Sequence, residues 1–101
     1  MYLSVINSNY NSQDTILKCI NSVIKQNFKS YEHIIIDNNS EDMTLELISE
    51  VKNKNLKLIS KKDKGLYFAM NKRAKIALGQ YLLFLNSDDF LIDDNFFQSL
   101  F

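Results

Sequence analysis

Hydrophobic positions along the chain follow two spacings, one typical of buried strands and one typical of helices. Four short apolar runs predict strands, at residues 3–6, 33–36, 56–59 and 81–85. The second and fourth runs are uninterrupted, as expected for strands buried on both faces of a parallel sheet. The chain therefore contains the apolar segments of a small parallel sheet.

Helical spacing of apolar residues between these runs predicts three helices. They cover residues 12–26, a stretch capped by Ser40 that reaches Val51, and a stretch from Gly65 to Gly79, while residues 90–101 resemble the start of another element. For the first helix, Asn11 or Ser12 is the predicted cap and Asp14 lies in the first turn. Glu41 and Asp42 fill the first turn of the second.

Strands that alternate with helices predict an α/β fold. We expect a three-layer α/β/α sandwich around a mainly parallel sheet of about four strands. No Pro-rich or Gly-rich linker and no repeat divides the chain, so residues 1–101 are interpreted as a single domain.

Composition excludes several classes of protein. The 101 residues are 46% hydrophobic and 24% charged with zero formal net charge, which is ordinary for a globular domain and argues against a nucleic-acid binder. The single Cys19 excludes a disulfide framework. No apolar run approaches the ~18–20 residues of a membrane span, so we expect no transmembrane segment and a cytoplasmic location, with the inner face of the membrane as an alternative.

Charge is unevenly distributed. Residues 52–75 are strongly basic, whereas the stretch from Tyr81 onward carries acids and no base. A basic segment followed by an acidic cluster could bind an anionic ligand that is carried by a metal ion. Gly65 and Gly79 are the only glycines, which disfavours dinucleotide-binding and P-loop motifs.

Polar residues cluster where three predicted strands end, at residues 7–10, 37–39 and 86–89. Because the carboxyl ends of parallel strands share one sheet edge, and ligands bind there in open α/β sheets, we expect one common ligand site. Asp88 and Asp89 directly follow a strand, and one or two carboxylates with substrate phosphates are the usual protein environment of Mg²⁺.

Four segments resemble inverting family 2 glycosyltransferases of the GT-A fold. SVINSNYN at 4–11 is similar to their first strand and loop, and IIIDNNS at 34–40 to their second. DKGLYFAMNK at 63–72 resembles their DxGxYxAMNxG segment, and LNSDD at 85–89 their DxD region. The order and spacing match over nearly the whole chain. The resemblance implies the nucleotide-binding half of a GT-A domain.

The activity implied is metal-assisted transfer of a sugar from a nucleotide-sugar, with a UDP-sugar expected, to a saccharide or lipid-linked acceptor in bacterial cell-surface polysaccharide synthesis. The resemblance implies Mg²⁺ or Mn²⁺ at Asp88 with Asp89 beside it. The implied nucleotide contacts are Ser8, Tyr10, Asp37, Asn38, Lys64, Asn86 and Ser87. Asn38 replaces the commoner second Asp, and its side-chain carbonyl can still accept from a uracil N–H. Asn86 replaces the first Asp of the DxD and could bond the ribose or a metal-bound water.

The catalytic base of this family lies well downstream of the DxD, and we expect it beyond Phe101. A non-catalytic nucleotide-binding fragment is therefore an alternative to an active enzyme. A receiver-like signalling domain is a further alternative, although Asn7 and Asn9 stand where it would want acids. The apolar C-terminal tail leads us to expect self-association.

Overall fold

Parallel strands form the centre of the protein. The computed structural model of the chain describes residues 3–60 and 81–100. Its strands are β1 (Leu3–Asn9), β2 (Tyr31–Asp37), β3 (Leu56–Ser60) and β4 (Tyr81–Asn86). All three pairings are parallel, and the order across the sheet is β3-β2-β1-β4. The predicted α/β fold with a four-stranded parallel sheet is confirmed.

Three helices accompany this sheet in the described part of the chain. They are α1 (Ile16–Ile24), α2 (Thr44–Ser49) and α3 (Phe96–Ser99). The helix predicted between Gly65 and Gly79 lies outside the described residues. None of the helices described at residues 3–60 and 81–100 is long and apolar enough to cross a membrane.

The first helix begins later than its apolar spacing predicts. It starts at Ile16, with Thr15 as its N-cap residue and no side-chain cap bond. Residues 12–15 instead form a turn in which the Thr15 and Ile16 amides donate to the Ser12 carbonyl, at 3.0 and 2.8 Å. The predicted cap by the side chain of Asn11 or Ser12 is wrong, because Asn11 Oδ1 accepts from the Glu41 amide and Ser12 Oγ donates to the Tyr10 carbonyl.

The second helix begins at Thr44 and not after a cap at Ser40. Ser40 is occupied elsewhere, since its amide and hydroxyl both donate to Asp37. Asp42 precedes the helix and accepts from the Thr44 amide at 2.9 Å. The predicted placement of Glu41 and Asp42 in the first helical turn is therefore wrong.

Both faces of the sheet carry buried apolar side chains. On one face, Leu3 and Val5 of β1 pack with Val23 of α1 and Phe97 of α3, and Ile35 of β2 packs with Ile48 of α2. Burying each such side chain contributes roughly 1.5–3 kcal/mol to folding. The opposite face carries a second cluster, made of Ile6, Ile34, Ile36 and Ile59.

The fourth strand is less buried than its sequence predicts. Tyr81 and Phe84 are 52% and 68% exposed, whereas Leu83 and Leu85 pack against the core. The reason is the strand order, because β4 has β1 on one side and is the edge of the described sheet. An uninterrupted apolar run therefore does not guarantee burial on both faces.

The segment after β4 is held against α1 by one buried side chain. The Nε2 group of Gln26 donates to the Asp93 carbonyl at 2.7 Å, and its Oε1 accepts from the Phe97 amide at 2.9 Å. Phe97 is fully buried, with its ring 5.8 Å from that of Tyr31, whereas Ile92 of the same tail is 88% exposed. Self-association through this tail stays a prediction.

We expect Gln26→Met to lower the free energy of unfolding by about 2–4 kcal/mol, because it leaves a buried N–H and a carbonyl without partners. Chemical denaturation measures this change. Gln98→Met, at an exposed position of α3, is the matched control and should have little effect. Equal stabilities for the two variants would contradict the structural role of Gln26.

Candidate nucleotide-sugar site

An open cavity lies where β1, β2 and β4 end. Its volume is about 580 Å³, within the range of ~300–1,000 Å³ typical of small-molecule sites. Six of the residues predicted from the sequence line it: Ser8, Tyr10, Asn38, Asn86, Ser87 and Asp88. The structure thus brings residues from three separate strand ends around one space.

Three of the predicted residues do not line this cavity in the described structure. Asp37 lies beneath it, Asp89 follows the lining residue Asp88, and Lys64 lies outside the described residues. Ligand contact by these residues, like that by the six that do line the cavity, stays a prediction.

The Asp37 carboxylate is fully buried and holds two loops together. Its Oδ1 accepts from Asn9 Nδ2 at 2.7 Å and from the Ser40 hydroxyl at 2.6 Å, and its Oδ2 accepts from the Ser40 amide at 2.9 Å. Hydrogen bonds to an ionised group are the stronger kind. Both Asp37 oxygens therefore bind the protein in the described structure, and the expected contact of Asp37 with a base stays a prediction.

The neighbouring Asn38 has the opposite arrangement. Its amide nitrogen donates to Ser8 Oγ and to the Asn9 carbonyl, both at 3.1 Å. Both donor contacts use Nδ2, so the carbonyl oxygen is the group that this side chain can present to the cavity. Asn38 can therefore accept a hydrogen bond from a ligand.

Tyr10 stands on a loop that is fixed by hydrogen bonds to the loop after β2. The Asn11 amide donates to Ser40 Oγ at 2.9 Å, the Ser12 amide to Thr44 Oγ1 at 2.8 Å, and the Glu41 amide to Asn11 Oδ1 at 2.8 Å. The Tyr10 ring is 57% exposed beside the cavity. An exposed aromatic face on a fixed loop is suited to stacking on a base.

The end of β4 is fastened to the end of β1. Ser87 is buried and its hydroxyl donates to the Ser8 carbonyl at 3.0 Å, while the Asp89 amide closes a turn onto the Asn86 carbonyl. Asp88 and Asp89 are both exposed at this turn. No group of three or more His, Cys, Asp or Glu side chains at residues 3–60 and 81–100 is placed to hold a metal ion. A cation held by Asp88 together with ligand phosphate oxygens fits these residues.

Five further residues line the cavity that the sequence did not assign to the site: Asn9, Asn11, Ser12, Asp14 and Thr15. The sequence placed three of them, Asn11, Ser12 and Asp14, at the start of a helix. Because that helix begins only at Ile16, these residues form the loop that borders the cavity. The cluster of Asn, Ser and Asp after β1 was the available signal.

Two buried titratable groups lie below the cavity. Burial lowers the pKa of His33 to about 3, so its ring is neutral near pH 7. Burial raises the pKa of Cys19 to about 11. The charges of Asp89 and Asp88 raise this pKa further, whereas a hydrogen bond from Asn7 lowers it. Cys19 is therefore a buried thiol that keeps its proton near pH 7.

Comparison with known proteins gives the family. The family model described as Glycosyl transferase family 2 matches residues 4–101. The chain belongs to this family. This membership confirms the resemblance seen in the four motifs and shows that the receiver-like alternative is wrong.

Two relatives illustrate the family. The UDP-Glc:alpha-D-GlcNAc-diphosphoundecaprenol beta-1,3-glucosyltransferase WfaP of Escherichia coli is 37% identical over 91 residues, which is 89% of this chain and 36% of WfaP. The crystal structure of Staphylococcus aureus TarS superposes with a TM-score of 0.84 and 33% identity, covering 99% of this chain and 19% of TarS. A structure of TarS residues 1–349 in complex with UDP also gives a TM-score of 0.84.

This family 2 chain thus spans about a third or less of the length of these relatives. The matched part is the sheet and the strand-end loops described above. What the chain shares with the relatives is therefore the architecture around the cavity.

His33 makes stability depend on pH in a defined direction. The unfolded chain binds a proton at this ring below its ordinary pKa of 6.5, whereas the folded chain does so only near 3. The free energy of unfolding should therefore fall as pH drops through this window, by up to roughly 1.4 kcal/mol per pH unit, and the full contribution is present above it.

Between neutral pH and pH 4.5, we expect the free energy of unfolding of His33→Gln to fall less steeply than that of the unmodified chain. Thermal unfolding at several pH values measures this difference. The carboxyl groups titrate in both chains, so the difference in slope isolates the imidazole. Equal slopes would contradict a buried neutral His33.

Proposed function

We propose that this chain is the donor-binding part of a glycosyltransferase that transfers a sugar from a UDP-sugar to an acceptor, with Mg²⁺ or Mn²⁺ assisting. One observation carries the proposal: three strand ends place an aromatic ring (Tyr10), an acceptor oxygen (Asn38) and a carboxylate (Asp88) around the same cavity. TarS, which shares this architecture, has been crystallised with UDP and with UDP-GlcNAc.

The base would lie between the loops that follow β1 and β2. Tyr10 supplies a stacking face, and the free carbonyl oxygen of Asn38 accepts from the N3–H of uracil. Cytosine has an acceptor at this position, so two acceptors would face each other. Uridine is therefore the nucleoside that suits Asn38.

The diphosphate would lie toward the end of β4. Asp88 would hold the cation, with Asp89 next to it and Asn86 positioned for the ribose or a metal-bound water. A bound divalent cation neutralises negative charge on the departing diphosphate. We propose Lys64, which lies outside the described residues, as a further phosphate contact.

The acceptor hydroxyl must lose a proton to a general base. Asp93 and Asp94 do not fit this role, because neither lines the cavity and the Asp93 carbonyl is bound to Gln26 on the α1 side of the sheet. We propose that the base and the acceptor site belong to a part of the enzyme that this chain does not contain. The short span relative to WfaP and TarS supports this view.

The same short span favours a second candidate function, a fragment that binds the nucleotide without transferring sugar. The two candidates share the donor site and differ only in turnover. Incubation with UDP-glucose or UDP-GlcNAc and measurement of released UDP separates them, because the binding fragment would bind donor and release none.

For the donor site itself, we expect UDP to bind with an affinity that increases on addition of Mn²⁺, and Asp88→Ala to lose this increase while keeping the fold. Isothermal titration calorimetry measures both. Asp94→Ala is the matched control, since it removes an exposed acid of the same segment that does not line the cavity. An unmodified chain that binds no UDP would contradict the proposed function.

We expect Asn38→Ala to reduce the preference for UDP over CDP by about tenfold, because the variant lacks the oxygen that distinguishes the two bases. Asn38→Asp should keep the preference, since a carboxylate also accepts from uracil N3–H. Competition binding with the two nucleotides gives the ratio. An unchanged ratio in Asn38→Ala would show that Asn38 does not contact the base.

A further inference from the structure

A chain of buried polar groups crosses the sheet directly beneath the cavity. Asn7 in β1 donates from Nδ2 to the Leu85 carbonyl of β4 at 2.7 Å, and its Oδ1 lies within hydrogen-bonding distance of Nε2 of His33 in β2. Asn7 and His33 are both fully buried. On the same face of β1, Leu3 and Val5 are apolar, and Asn7 is the first polar residue in this row, followed by Asn9.

The orientation of the Asn7 amide follows from its partners. A backbone carbonyl can only accept, so the group that faces Leu85 is the amide nitrogen. The amide oxygen then faces His33, whose Nε2 must carry the proton. His33 Nδ1 has no hydrogen-bond partner among the described residues, so the bond to Asn7 is the one that orients both side chains.

Cys19 of α1 completes the arrangement. Its sulfur lies 3.6 Å from Asn7 Nδ2 and 3.8 Å from the Asn86 carbonyl. The neutral thiol retains its proton and can donate to that carbonyl. Asn7 of β1, oriented by His33 of β2, and Cys19 of α1 therefore contact the last two carbonyls of β4.

These two carbonyls directly precede Ser87 and Asp88. The Asn7 and Cys19 contacts to them add to the β1–β4 pairing and to the Ser87 hydroxyl bond in fixing the point at which β4 ends. In the proposed site, the Asp88 carboxylate would hold the cation that binds the diphosphate. The position of this carboxylate must therefore be fixed to well under an ångström. The Asn7 contacts are placed to provide this constraint.

We propose that Asn7, held in orientation by His33, is a positioning residue that fixes the Asp88 segment for diphosphate binding. The proposal rests on the proposed function. It predicts that the affinities for the nucleoside and for the diphosphate respond differently to a change at Asn7. The base and ribose would contact the loops after β1 and β2, whereas the diphosphate would depend on the end of β4. A change at Asn7 should therefore weaken binding of the diphosphate and spare the nucleoside.

The test compares uridine with UDP in the presence of Mn²⁺, by calorimetry well below the melting temperature. We expect Asn7→Leu to weaken UDP binding by about tenfold and to leave the affinity for uridine within about twofold. Ile48→Ala is the matched control, because it removes buried volume from the same side of the sheet, in a cluster that contains no described residue of β4. It should leave both affinities unchanged.

A second pair of variants keeps the test decisive if Asn7→Leu does not fold. His33→Gln retains an N–H that can reach Asn7 Oδ1 and should keep UDP affinity, whereas His33→Leu should lose it. Parallel loss of affinity for uridine and for UDP would overturn the positioning role alone. The same holds if neither Asn7→Leu nor His33→Leu loses affinity for UDP. An unmodified chain that binds neither ligand would overturn the proposed function together with it.

Discussion

Because β1 pairs in parallel with both β2 and β4, the carboxyl ends of three strands meet at one edge of the sheet. The register places Asn9 beside Asp37 and Ser8 beside Asn86, so the strands also end at the same level. Residues far apart in the sequence thereby become neighbours. The site depends on this pairing, since Tyr10, Asn38 and Asp88 follow three different strands.

The buried carboxylate of Asp37 converts these strand ends into a fixed edge. It joins Asn9 at the end of β1 to Ser40 in the loop after β2. Once Ser40 is held, it accepts from the Asn11 amide, and Asn11 in turn accepts from Glu41. The loop that carries Tyr10 is therefore positioned by contacts that begin at a residue beneath the cavity.

Much of the fold could be predicted from the sequence, because apolar runs and helical spacing are local signals. The polar residues after each strand also indicated which strand ends border one cavity. The helix starts could not be predicted, since they depend on hydrogen bonds between the loops after β1 and β2, in which the Asn11 amide donates to Ser40 and the Gln13 amide to Asp42.

Individual side-chain roles were harder to predict than the region. Asp37 and Asn38 are adjacent and equally polar, yet one faces the protein and the other lines the cavity. That distinction depends on where β2 stops and on the partners supplied by β1. Asn7 belongs to the polar cluster predicted at the end of the first strand, but its contact could not be predicted, because its partner in β4 lies 78 residues away in the sequence.

The clamp formed by Gln26 has a consequence for ligand binding. The turn that carries Asp88 and Asp89 is tied on one side by the pairing of β4 with β1 and on the other by the bonds from Gln26 to Asp93 and Phe97. A short connection anchored at both ends has few conformations left to lose. The turn is therefore preorganised. Its conformational entropy is lost when the chain folds, so that binding of an anion does not have to order the turn.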